Sequence, residues 1–330
     1  EAIRPFLGNL FSDRAILRMP SLPRWFLSRL IASRRTPFAR ATYAKIGGRS
    51  PLLEQTEVQA SALEAELAAE DARVYIAMRY WHPMAAETAS RVAVSRPDRV
   101  VLLPLYPQFS SSTTASSFDD WDRAAAKAGL DAPTRRICCY AEEAGFVAAL
   151  VEGARAGIAV CDAATKPRVL FSAHGVPKKF VIAGDPYQDQ VEHTVAAIVA
   201  GLAIDGLDYA VCYQSRVGRL EWLAPYTDDE IRRAGADGVP VVVVPIAFVS
   251  EHSETLVELD MDYAGLAASC GVPQYVRAPT VGIDKAFIHG LARLVRMALA
   301  SDRAIVSERG ERACPTAFGD CPMTVAGGTG

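Results

Sequence analysis

The chain contains no uninterrupted apolar run of 18 or more residues, so no segment reads as a transmembrane helix. Its start lacks the basic, apolar and small-residue regions of a secretory signal. None of its seven cysteines forms a Cys-x-x-Cys pair, and an odd count without an export signal points to reducing cytosol, not a disulfide framework. No repeat of solenoid period is present, and low complexity is confined to 326–330, an ending that reads as disordered. A net charge of −3 speaks against a general nucleic-acid binder. What is present is a globular composition: 330 residues, 50% hydrophobic and 22% charged, enough for a sizeable core in about two domains.

Charge is unevenly placed. Residues 1–50 hold ten basic groups against Glu1 and Asp13, a local charge of +8, which leaves −11 for the other 280 residues. Within this stretch Leu22-Pro23-Arg24-Trp25-Phe26-Leu27-Ser28-Arg29-Leu30-Ile31 mixes large apolar side chains with arginines. Such a segment either lies on an anionic membrane, grips an anionic ligand, or is the solvated face of an ordinary helix.

Short β-branched runs recur at 74–77, 100–103, 169–171, 209–211 and 241–244, the pattern of strands buried on both faces of a parallel sheet. Helical stretches at 59–70, 86–95 and 189–204 lie between them, so the chain reads as α/β layers. The segment 131–167 reads as mainly helical and places a domain boundary near 145. The division expected is 1–145, 146–305 and a tail 306–330.

Three polar segments follow predicted strands, where open α/β sheets bind ligands. Tyr106 to Ser117 carries seven hydroxyl side chains over 110–117, suited to carboxylates or phosphates, or simply to capping a helix. Ser172-Ala173-His174-Gly175 puts an imidazole at a strand end, placed for proton transfer or metal ligation. In the third, Glu254, Glu258 and Asp262 fall at i, i+4 and i+8, one face of a helix, and no Lys or Arg occurs from Ala247 to Val276. Two carboxylates about 6 Å apart repel by roughly 3 kcal/mol at an effective dielectric near 20, so the row either sits in water or receives a cation. Glu251 and His252 at its start favour a divalent metal such as Fe(II) or Zn(II). Cys138-Cys139 and the pair Cys314 and Cys321 suit an iron–sulfur or zinc site, although free buried cysteine is commoner.

With these segments in hand the chain resembles the ferrochelatases. Several motifs match in order: Arg34-Arg35-Thr36-Pro37, Ile46-Gly47-Gly48-Arg49-Ser50-Pro51, Met78-Arg79-Tyr80-Trp81-His82-Pro83, Tyr106-Pro107-Gln108-Phe109-Ser110, Ser172-Ala173-His174-Gly175-Val176-Pro177, Gly184-Asp185-Pro186-Tyr187, Tyr213-Gln214-Ser215-Arg216-Val217-Gly218 and the 250–262 segment. The resemblance implies two Rossmann-like lobes with parallel four-stranded sheets and a porphyrin cleft between them. It implies insertion of Fe(II) into protoporphyrin IX, with loss of two pyrrole protons and no cofactor needed for the chemistry. His174 would accept protons or bind the incoming metal, Glu254 would face it, and Glu258 and Asp262 would relay protons or metal. Around the porphyrin it places Arg34, Arg35, Ser50, Arg79, Tyr80, Tyr106, Ser110 and Trp222. The 11–40 stretch would form a lip at the cleft mouth that rests on a membrane, which makes the protein cytoplasmic and peripheral at the inner membrane.

Some bacterial members bind a 2Fe-2S cluster through one internal cysteine and three tail cysteines spaced C-x6-C-x-C. Here Cys314 and Cys321 match the first two tail positions, Cys138 or Cys139 the internal one, and Met323 stands at the third. Family members also begin with a further strand and an N-L-G-G-P-type loop that do not precede Glu1, so a truncated chain or an incomplete pocket is expected. The rival readings are a cobalt or nickel chelatase, a coproporphyrin III enzyme, and a tetrapyrrole carrier without catalysis.

Overall fold

A computed structural model describes residues 2–162, 165–218 and 220–323; the glycine-rich end at 326–330 lies outside the described residues. Seven strands are assigned in it: β1 Val100–Leu102, β2 Thr134–Ile137, β3 Arg168–His174, β4 Tyr209–Gln214, β5 Val241–Pro245, β6 Tyr275–Arg277 and β7 Ile305–Val306. They form two wholly parallel sheets, one of order β1-β2-β7 and one of order β4-β3-β5-β6. The four strands expected per sheet are found in the second; the first has three among the described residues.

The central strands are those with continuous apolar runs. β5 is buried along its whole length and β3 up to His174, because helices cover both faces of their sheet and leave no side for polar residues. The run at 74–77 is not a ladder strand: only the neighbouring Met78 makes a bridge, to Met84. Backbone groups there take side-chain partners instead, Val74 N–H donating to Glu64 and the Ile76 carbonyl accepting from Thr88. Propensity alone does not make a strand without a neighbour to pair with. The stretch read as mainly helical holds β2 as well as the helix Ala144–Val160.

The expected boundary near 145 falls at the start of that helix. β7, however, returns from the far end of the chain to pair with β2, so the first lobe is finished by C-terminal residues. The helix Lys285–Ala300 packs on the helices Ala144–Val160 and Leu52–Glu66 and on both β1 and β2. One apolar cluster therefore runs across both sheets, from Leu63, Ile137 and Val306 to Val169, Phe171 and Val244. The sheets are held as one body, with the ends of β3, β4 and β5 facing a cleft. Two further helices, Ile3–Ser12 and Ser21–Ala44, pack on each other, and side chains near their ends reach the cleft walls.

Candidate active site

β3 ends at His174, which pairs in register with Gln214 of β4. β5 leads through Phe248 and His252 into a π-helix, Glu254–Tyr263, where an α-helix was expected. Its i→i+5 hydrogen bonding is rare and concentrates at functional sites. Gly175 permits the close approach of these parts: a Cβ there would lie 3.1 Å from the Gln214 carbonyl and 3.2 Å from the Trp222 ring. Trp222 and Phe248 flank the His174 imidazole, with ring centroids 6.4 and 6.5 Å away.

His174 Nδ1 lies 2.6 Å from the Gly175 carbonyl, so this nitrogen carries a proton and donates it. Nε2 faces Glu254 Oε1 at 3.6 Å, and the other Glu254 oxygen lies 3.3 Å from His252 Nε2. Burial disfavours the imidazolium, but the charge and hydrogen bond of Glu254 outweigh it and lift His174 to about 9. Burial also works against the Glu254 carboxylate, yet His174 and His252 hold it well below the usual carboxylate range. At neutral pH the two face each other as an ion pair. Glu258 moves the opposite way, raised by burial and by the charge of Glu254.

The acidic row is thus real at one end and dispersed at the other. Glu258 is fully engaged, accepting from the Ser215 N–H at 2.8 Å and from the Ser215, Tyr263 and Gln214 side chains. Glu251 points away, paired with Arg277 at 2.6 Å and accepting from the Thr280 N–H. Asp262 lies at the surface in an ion pair with Lys45. The expected six-residue metal set of His174, Glu251, His252, Glu254, Glu258 and Asp262 is therefore not gathered. Among the described residues no group of three or more His, Cys, Asp or Glu side chains converges to hold a metal ion. The cation-free window read from the sequence stops one residue short of Arg277, and Lys45 arrives from 217 residues away.

A cavity of about 1380 Å³ opens onto the His174–Glu254 pair, walled by Arg79, Tyr80 and Tyr106 from the first lobe and Phe248 and His252 from the second. Of the other residues expected there, Arg34 is exposed and Arg35 half-buried on the helix Ser21–Ala44, and Ser50 is half-buried, accepting from the Leu52 N–H. Ser110 is a correction. It is fully buried and donates to Asp185, itself buried, which also accepts from the Ser111 N–H and hydroxyl and from the Tyr187 N–H. That carboxylate ties the loop after β1 to the second lobe, so Ser110 builds the cleft wall without facing it. Sequence reasoning missed Tyr43, a half-buried phenol raised by burial and by the nearby Glu254 charge, and Asp13, which pairs with Arg79 at 2.7 Å. Asp13 did leave a signal: apart from Glu1 it is the sole acid in the first 50 residues.

The four thiols expected to hold a 2Fe-2S cluster lie in one region of the fold. Cys138 and Cys139 have their sulfurs 2.9 Å apart, and Cys314 accepts from Gln190 Nε2. Cys321 and the buried Met323, which stands at the third tail position, pack with Cys138 and Cys139 in one apolar cluster. Histidine proton NMR tests the electrostatics of the His174–Glu254 pair. His174 is expected to titrate near 9, and in Glu254→Gln to fall toward the free value of roughly 6.5, because the charge that raised it is gone.

A family profile described as ferrochelatase matches residues 1–299. The chain is 52% identical over 328 residues to the ferrochelatase of Phenylobacterium zucineum, covering 97% of this chain and 93% of that one. It is 48% identical over 326 residues to that of Caulobacter vibrioides, covering 98% and 93%. Among solved structures it resembles SirB from Bacillus subtilis with Fe3+, at a TM-score of 0.52 and 14% identity over 75% of this chain and 90% of that one. It also resembles CbiX, described as the terminal enzyme of siroheme biosynthesis in denitrifying bacteria, at a TM-score of 0.50 and 20% identity over 76% and 94%. These two likenesses show the chelatase fold. With a profile over nine-tenths of its length and relatives at these identities, the chain belongs to the ferrochelatase family, the metal chelatases that insert iron into a porphyrin to make haem.

Proposed function

We propose that this chain metallates protoporphyrin IX with Fe(II) at the His174–Glu254 pair. The observation that carries the reading is that pair, opening onto a cavity lined by residues of both lobes. Two imidazoles flanking one carboxylate are donors suited to Fe(II). Because the three do not converge on a metal point, the cation is held only in passing and completes its coordination with the porphyrin nitrogens. A chelatase needs such a weak site, since a closed one would keep the metal.

The proton balance follows from the same geometry. The porphyrin gives up two N–H protons as the dication enters, and two protons must leave the cleft. His174 starts protonated at neutral pH, so it cannot act as a base until its proton is displaced. The approaching cation supplies that displacement, because it takes over the neutralisation of Glu254, and the His174 proton leaves to solvent as the first of the two. The freed imidazole then accepts a pyrrole proton. Glu258, with its raised proton affinity, takes the second pyrrole proton and passes it out of the cleft. The 2Fe-2S cluster plays no part in this reading.

The lip supports the choice of an apolar porphyrin over the more carboxylated coproporphyrin III. Leu22 and Phe26 are exposed at 74% and 66%, and Trp25, Leu30 and Phe38 join them on a helix studded with arginines. That face also fits the interface of an anionic bilayer, and no helix among the described residues is long and apolar enough to cross one. A cytoplasmic enzyme resting on the inner membrane accounts for both features. Sedimentation with anionic liposomes is expected at low salt and to weaken at high salt; failure to sediment at low salt would remove the membrane contact.

Anaerobic insertion of Fe(II), or Zn(II) as surrogate, tests the site. Glu254→Gln and His174→Ala should each lower turnover by about 100-fold or more, the scale of lost acid–base catalysis, with porphyrin affinity little changed. Full turnover in either variant contradicts the assignment.

A further inference from the structure

The Arg79–Tyr80 dipeptide on the cleft wall is gripped from outside the wall, by Asn9 of the first helix and by Asp13 where the lip begins. Asn9 Nδ2 donates to the Tyr80 carbonyl at 3.0 Å, and the Tyr80 hydroxyl donates to Asp13 Oδ2 at 2.7 Å. Asn9 lies in the last turn of the helix Ile3–Ser12, and Asp13 follows it as the C-cap in an extended conformation, so both grips come from one helix end. Tyr80 itself has a φ of +68°, a left-handed backbone that residues other than glycine seldom adopt. Such conformations persist where the surroundings over-determine them, and they gather at ligand clamps.

Arg79 completes the clamp. Its guanidinium lies 4.5 Å from the Tyr80 ring centroid and bonds Asp13 on one side and Asp120 on the other. Ser116 also donates to the Asp13 oxygen that Tyr80 and Arg79 share. A single positive charge facing two carboxylates is already neutralised, and a porphyrin carboxylate approaching it would meet both. Arg18 seats the lip nearby, donating to Ser111 at 2.8 Å with its guanidinium 4.0 Å from the Phe180 ring centroid.

We infer that Asn9 and Asp13 are positioning residues which hold Tyr80 in its left-handed conformation on the porphyrin-facing wall, so that seating of the lip and shaping of that wall are one event. Arg79 then serves the clamp and not a propionate. The inference rests on the porphyrin reading of the cavity for its consequence, though the clamp itself does not.

Two measurements on Asp13→Ala decide it. Amide hydrogen exchange should quicken together over 3–12 and 79–82 while 168–174 keeps its protection, which also shows that the variant is folded. In the metallation assay the KM for protoporphyrin should rise about tenfold, the scale of losing charge-assisted hydrogen bonds, with kcat within about twofold. In a Tyr80→Phe background, Asp13→Ala should raise KM by less than it does in the parent, because the contact the two share is already gone while the Arg79 and Ser116 bonds to Asp13 remain to be lost. Unchanged exchange at 79–82 overturns the clamp. Tighter porphyrin binding by Asp13→Ala also overturns it, and would make Asp13 a carboxylate that competes with the substrate for Arg79. If the parent neither binds nor metallates porphyrin, the functional reading fails, while the exchange result still decides the clamp.

Discussion

The ion pair between His174 and Glu254 is the constraint on which the rest of the site depends. Burial alone would push each group toward neutrality, the imidazole downward and the carboxylate upward. Together, at 3.6 Å, they stay charged and nearly cancel, which lets a cleft tolerate them. The pair needs two independent elements brought to one point, the carboxyl end of β3 and the first turn of the π-helix after β5. The parallel pairing of β3 with β5 supplies that juxtaposition. Neighbouring groups then adjust to it: Glu258, sensing the Glu254 charge, becomes the carboxylate readiest to accept a proton.

The lip is joined to this centre by charge as well as by packing. Two ion pairs make the connection: Asp13 with Arg79, and Lys45 with Asp262 on the π-helix. The second follows the basic excess of the N-terminal segment, and the first uses its lone internal acid. The arginines and aromatics left on the exposed face of the helix Ser21–Ala44 remain available to an anionic or amphiphilic surface.

Much of this was legible in the sequence, for physical reasons that differ from residue to residue. β3 and β5 announce themselves because both faces are buried and nothing polar interrupts them. β2 and β7 do not: the first reads Thr-Arg-Arg-Ile, the second is two residues long, and their pairing spans some 170 positions. The run at 74–77 looks like a strand yet has no ladder partner among the described residues, a fact no local pattern carries. His174 and Glu254 were visible from motif and strand-end placement. The fates of Glu251 and Asp262 were not, since their neutralising partners lie just past the window inspected or far away in the chain. Ser110 resembles a ligand donor by composition but is claimed by the buried Asp185.

The central claim is that the incoming cation displaces one proton held by the His174–Glu254 pair. Calorimetry of Zn(II) binding to the porphyrin-free protein at pH 7.5, repeated in buffers of different ionisation enthalpy, counts that proton directly. With His174 lifted to about 9, roughly one proton should be released per metal bound in the parent, and almost none in His174→Ala. Metal binding without proton release in the parent would mean that His174 is neutral beforehand, and the account of the pair would be wrong.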